Sequence, residues 1–212
     1  MAEKSRGSGK QEAILEAALE LFAEQGFRGN NVPEIARRAG VSVGTLYHCF
    51  ASKEAIVNTL YRKLKREVRE ALQDSFPVNA APTDIFRVFW HRMVGYATAH
   101  PLAFAFLELH HHLPYLDEES RAMLAKSTET DRLLFQQGRK ACTLKPLPDS
   151  VLAALIGGAL RDLIQSARRG EIDLTAEVVD QAAACCWDAV RHPSYPHEMK
   201  GTNAMSQFSL GG

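Results

Sequence analysis

The chain has little of what most function classes require. Four of its 212 residues are cysteines, Cys49, Cys142, Cys185 and Cys186. None forms a Cys-x-x-Cys pair, so the spacing supports neither a zinc site nor a disulfide framework. Free, mostly buried thiols fit a reducing compartment. No apolar segment follows Met1, so no signal peptide is expected. The longest apolar run, Val151 to Leu160, is too short to span a bilayer. The protein is therefore expected to be cytoplasmic, with no membrane partner. Strand patterns, Gly-rich dinucleotide loops and nucleophile motifs are also lacking, which points away from an enzyme: no catalytic residue, metal or cofactor is expected. Gly7-Ser8-Gly9-Lys10 has neither the spacing nor the preceding strand of a phosphate loop.

Net charge is missing too, with 25 basic against 25 acidic residues. Its distribution is uneven, however. Residues 1–66 hold 11 Lys/Arg and 7 Asp/Glu, a balance of +4, and residues 67–212 hold 14 and 18, a balance of −4. A basic head on an acidic body suits a modest nucleic-acid-binding module.

What is present begins with Val32 to Phe50. Asn31 can cap a first short helix, with Glu34 three residues on to close a capping box and Pro33 in the first turn. Val32, Ile35, Ala36 and Ala39 recur at helical spacing. Gly40 offers the left-handed turn that stops this helix, and Ser42 caps a second one reaching Phe50. Helix, glycine turn, helix is the grammar of a helix-turn-helix, whose second helix enters the DNA major groove. Small residues at its start, Ser42, Val43, Gly44 and Thr45, permit close approach to base edges. Leu46 and Phe50 face inward, whereas Tyr47 and His48 point elsewhere. A plain helical hairpin would satisfy this pattern alone.

The wider string is more specific. Leu21-Phe22-Ala23-Glu24-Gln25-Gly26-Phe27, Val32…Ile35-Ala36, Ala39-Gly40-Val41-Ser42…Gly44-Thr45-Leu46-Tyr47…Phe50 and Ser52-Lys53-Glu54 together resemble the N-terminal domain of TetR-family transcriptional regulators. The resemblance covers about residues 10–60; beyond it, only length and an all-helical pattern are shared. Asn30-Asn31 stands where the family often has paired Thr or Ser, and Cys49 stands where His or an aromatic residue is common. The resemblance implies phosphate contact by Lys53, a homodimer, and a body cavity for an apolar or amphipathic small molecule.

The expected fold is all-α, with about nine helices. Residues 1–9 read as a mobile arm, 10–60 as a three-helix DNA-binding head, 61–191 as a ligand-binding and dimerisation body, and 192–212 as a loose tail. The first helix is expected over Lys10–Gln25 and the fourth over Lys53 to about Phe76. Thr83 is expected to cap the fifth, and a sixth should follow His100-Pro101 through Leu113. Further helices are expected from about Glu118 to Ala141, Ser150 to Arg169 and Thr175 to Arg191.

On DNA, Arg28, Arg37, Arg38, Tyr47 and Lys53 would contact phosphates, while Ser42, Val43, Thr45 and His48 face the bases, with Gly44 allowing close approach. Phe86, Trp90, Met93, Tyr96, Phe104 and Leu107, with Glu108 and His111 of a Glu108/His110–His112 cluster, are core residues by default and candidate lining of a ligand cavity. The eighth helix is apolar all round over Val151 to Leu160, so a partner should cover one side. Val151, Ala154, Leu155 and Gly158, with Ala182, Cys186 and Trp187 of the ninth, would form a two-fold four-helix interface. The function that follows is a ligand-responsive repressor bound as a homodimer to a palindromic double-stranded DNA operator and released by a small-molecule effector. A constitutive DNA-binding protein, or a helical sensor whose head no longer binds DNA, remain the alternatives.

Overall fold

The computed structural model describes residues 2–27, 29, 31–73, 80–109 and 113–195, with side chains over 9–27, 29, 31–72, 80–108 and 114–195. Arg28, His110, His111 and His112, and the tail beyond residue 195, lie outside the described residues. Among the described residues there are nine α-helices, and β-structure is limited to one isolated bridge, Leu144 to Arg191.

Helix α1 spans Ala2–Gln25, so residues expected as an arm form its first turns. Gly7 and Gly9 each cost about 1 kcal/mol in a helix. Once the apolar face of Ile14, Ala18, Leu21 and Phe22 has docked, each added residue gains a hydrogen bond without a new nucleus. Helices α2 (Val32–Arg38) and α3 (Val43–Cys49) form the expected pair. Between them Gly40 sits at φ +66°, donating to the Arg37 carbonyl while Val41 donates to Ala36. These bonds close a Schellman turn that only glycine enters without strain.

Helix α4 runs Lys53–Gln73; its expected end at Phe76 lies outside the described residues. Helix α5 (Pro82–Ala99) starts one residue before the expected Thr83 cap. Pro82 already supplies a helical φ at the first position, so Ala81 becomes the cap residue and Thr83 is buried. Helix α6 (Pro101–Phe104) is far shorter than expected and passes into a π turn over Ala105–Leu109. Helices α7 (Glu118–Lys140), α8 (Asp149–Arg168) and α9 (Ala176–Val190) complete the chain.

Two apolar cores divide the molecule. The first gathers α1, α2, α3 and α4 around Phe22, Ile35, Leu46 and Ile56, and is finished by Tyr96, Ala103, Phe106 and Leu116 from the body. The second packs Phe86, Trp90 and Val94 of α5 against Leu152, Leu160 and Ile164 of α8 and Ala183, Trp187 and Val190 of α9. Phe104 belongs to the second core and Phe106 to the first. Two helical steps turn a side chain by about 200°, so this short segment wedges between the cores with one phenyl in each.

Polar bonds reinforce the junction. Asn58 of α4, 3% exposed, donates to the carbonyls of Glu54 and Tyr115 at 2.8 Å each, and accepts from Asp117 N–H at 2.9 Å. Arg62 donates to Asp117 at 2.8 Å and to Ser120 Oγ at 3.0 Å, while Asp117 caps α7 by accepting from Ser120 N–H.

Helix α8 is long and apolar enough to cross a bilayer by length and composition alone, and little of it is buried. Arg161 and Asp162 interrupt it, each at a cost of about 3 kcal/mol in a membrane core. Its outer face carries Val151 and Leu155, each 39% exposed, with Ala154 beside them. On α9 Cys185 and Ala189 are exposed, Val178 is half-buried, and Ala182, expected at a subunit interface, packs partly buried against the body core. Cys186 and Trp187, expected at a subunit interface, instead face inward, at 6% and 3% exposure. The inward stripe runs Val179, Ala183, Cys186, Trp187, Val190, and one residue of helical rotation separates Cys186 from the outward Cys185.

Candidate nucleic-acid interface

The head is built to present one short helix. Asn31 Oδ1 accepts from Glu34 N–H at 2.9 Å, capping α2. The reciprocal half of the capping box does not form, because the Glu34 carboxylate takes the Arg37 guanidinium in two bonds of 3.0 and 2.7 Å. That fork holds Glu34 below, and Arg37 above, its ordinary value. Ser42 Oγ accepts from Thr45 N–H at 3.1 Å and lies 2.9 Å from Thr45 Oγ1, capping α3.

Leu46, fully buried, anchors α3 from beneath, with Cys49 packed against the same core. The opposite side is solvated: Ser42, Val43, Gly44, Tyr47 and His48 are exposed, and Thr45 is half-buried. Tyr47 is 53% exposed, a large amphipathic side chain held out from the surface. The structure thus gathers the expected base-facing residues and Tyr47 on one free helix face.

The expected phosphate contacts are less uniform. Arg37 is exposed beside α3, though bound to Glu34. Arg38 turns back to Glu20 and Glu24 of α1, at 3.4 and 3.5 Å, so it serves the α1–α2 packing here. Arg28 lies outside the described residues. Lys53 donates to the Phe27 carbonyl, and its ammonium stands 4.0 Å from the Phe27 ring centroid. Burial there pushes the Lys53 ammonium down, with Glu54 pulling it back up. Ser52 caps α4, accepting from Ala55 N–H at 3.1 Å.

Phe27 in turn stacks on Tyr115, ring centroids 3.8 Å apart. The sequence reading missed Asn58 and Tyr115. A signal existed for Asn58: an amide beside Ile56, Val57 and Leu60, on a helix otherwise apolar on that side, needs buried partners.

The candidate cavity residues divide between the two cores. Phe86, Trp90, Met93 and Phe104 pack in the body core, whereas Tyr96 and Leu107 pack in the head-side core. Glu108 is half-buried, and its negative charge reaches Tyr61. None of these seven lines a cleft of about 300 Å³ between α1, α4 and α6. One helix cannot turn all its aromatic residues to a single cavity, and α5 splits them. Among the described residues no group of three metal-ligating side chains occurs, and the histidine run lies outside them.

A basic head, a capped helix-turn-helix and a free recognition face define a DNA-binding transcriptional regulator. Residues 14–60 match the bacterial regulatory proteins of the tetR family, and residues 61–192 match the tetracyclin repressor-like C-terminal domain. The chain belongs to the TetR family of transcriptional regulators. Over 55 residues it is 46% identical to the HTH-type transcriptional repressor KstR2 of Rhodococcus jostii, covering 26% of this chain and 27% of that protein. Over 67 residues it is 34% identical to the fatty acid metabolism regulator protein of Bacillus subtilis, covering 32% and 34%. The chain thus spans about a quarter to a third of the curated relatives it matches. A crystallised TetR family transcription regulator from Marinobacter aquaeolei superimposes with TM-score 0.78 at 26% identity, over 89% of this chain and 99% of that one.

Proposed function

We propose that the protein is a homodimeric repressor that holds a palindromic operator and releases it when a small apolar or amphipathic effector binds. The observation that carries this reading is the solvated face of α3, where Val43, Tyr47 and His48 stand exposed over a buried Leu46. Side chains held outward on a capped helix are what groove reading requires. Val43, Thr45 and His48 then face bases, with Ser42 and Gly44 setting the approach. Tyr47, Arg37 and Lys53 contact phosphates, Lys53 after leaving the Phe27 carbonyl. The outward apolar face of α8 and α9 supports a two-fold pair of heads about one DNA turn apart. The head extends to about residue 60 and the body from there to 191, sharing α4, and the protein acts in the cytoplasm.

Effector binding favours one head spacing over another, and operator affinity falls in proportion to the differential affinity for the two states. The test is operator selection from random duplexes followed by fluorescence anisotropy. Lys53→Ala should weaken binding about equally for all sequences and reduce the salt slope by about 1, while His48→Ala relaxes specificity at one position of each half-site. Selection of no preferred palindrome would overturn the reading. The close packing of Phe86 and Trp90 favours, as the second reading, a constitutive DNA binder; unchanged operator affinity across an effector library would establish it.

A further inference from the structure

We infer that the cleft between α1, α4 and α6 is an effector site separate from the body core, and that its occupant is a small amphipathic molecule carrying one positive charge. The cleft encloses about 300 Å³, the lower end of the roughly 300–1,000 Å³ typical of small-molecule sites. Its floor is apolar: Leu15, Leu60, Leu64 and Ala103 line it and each is at most 5% exposed. An apolar floor at a solvent-open cleft selects an apolar body on the ligand.

The rim sets the sign of the charge. Glu16 of α1 and Glu67 of α4 line the cleft, and neither has an ion-pair partner among the described residues. Lys63, the cation that lines it, is held by Glu12 of α1. The carboxylates of the rim therefore outnumber its ammonium, a balance that attracts a cation and repels a carboxylate or sulfonate. Behind the rim stands an unsatisfied group. Tyr96 is 6% exposed, its hydroxyl has no partner among the described residues, and the Glu67 charge reaches it. Its ring packs 4.9 Å from that of His100, which lines the cleft.

The location gives occupancy a consequence. Leu15 and Glu16 belong to the head, Ala103 and His100 to the body, and Leu60 and Glu67 to the helix they share. A ligand in the cleft binds one angle of head to body better than others, so it is coupled to operator affinity. Only this last step rests on the proposed operator binding.

The test is calorimetric titration of the full chain with benzyltriethylammonium, and with benzyl alcohol and benzenesulfonate as neutral and anionic probes. The cation is expected to bind at least about tenfold more tightly than either, and the Glu16→Gln/Glu67→Gln protein to lose about tenfold of that affinity. Both substitutions lie at the rim, and an unchanged melting curve verifies folding. Equal binding of the three probes, or equal cation binding by both proteins, overturns the site. Cation binding that leaves operator affinity unchanged overturns its role as an effector site. Loss of operator recognition by the ligand-free protein is read in a separate anisotropy assay and bears on the proposed function alone.

Discussion

The Asn58 amide donates at 2.8 Å to the carbonyl of Tyr115, which lies 57 positions away along the chain. With its bonds to Glu54 and Asp117 it fills a buried polar gap between α4 and the start of α7. Asn58→Ala removes three bonds and takes from Asp117 N–H its side-chain acceptor at the junction of α4 and α7. At about 1–3 kcal/mol for an unsatisfied group, the loss should be about 1–3 kcal/mol. Urea denaturation measures it, and a change under 1 kcal/mol would show that water replaces the amide.

Two helix ends make opposite demands on one backbone conformation. Gly40 at φ +66° and Cys142 at φ 53° both occupy the left-handed position after a helix. Cys142 makes the same pair of bonds, donating to Arg139 while Thr143 donates to Gly138. A side chain in this conformation costs about 1–2 kcal/mol. Gly40→Ala should therefore destabilise by about 1 kcal/mol, its new methyl meeting no atom within 4 Å. Cys142→Gly should stabilise by a similar amount. Chemical denaturation of both variants shows whether the two shifts have opposite signs.

Substitutions at Leu155 and Trp187 should separate assembly from folding. Leu155 is 39% exposed on the outer face of α8, whereas Trp187 is 3% exposed, its ring 5.2 Å from that of Phe86. Leu155→Arg should yield a folded monomer in sedimentation equilibrium, with much weaker operator binding. Trp187→Ala should cost about 3–5 kcal/mol of stability by emptying the core. A stable dimer in the first case would move the interface elsewhere.

Burial, reinforced by the Glu67 charge, pushes the Tyr96 phenol up to about 12. A folded-state pKa above the unfolded value near 10 contributes stability at neutral pH that is lost as pH rises from about 10 to 12. Tyr96→Phe should remove that part of the alkaline loss and leave stability near pH 7 unchanged or slightly raised, since the hydroxyl has no partner. Urea midpoints at pH 8 and pH 11 decide it.

The parts legible in the sequence were those governed by local rules. Asn31, Gly40 and Ser42 each act within four residues of chain, and each does what its residue type implies. Helix α6 was misjudged because a π turn comes from packing two phenyl rings into two cores, which no local periodicity records. Cys186 and Trp187 were placed outward because α9 is apolar on nearly every side, leaving the rotation of the helix undetermined by composition. Lys53 was expected at a phosphate; its turn toward Phe27 depends on Tyr115, a neighbour 62 positions away.

A head core that borrows Tyr96, Ala103, Phe106 and Leu116 from the body has a bearing on transplantation. A fragment ending at residue 60 would carry the recognition helix but expose the apolar surface those four residues cover, and would lack Arg62 and Lys63. Grafting this head onto a relative's body would succeed only where that body presents side chains of matching volume at the same four places. Exchange of whole heads at this seam is therefore restricted for this chain, whereas substitutions at the exposed residues of α3 leave the shared core intact.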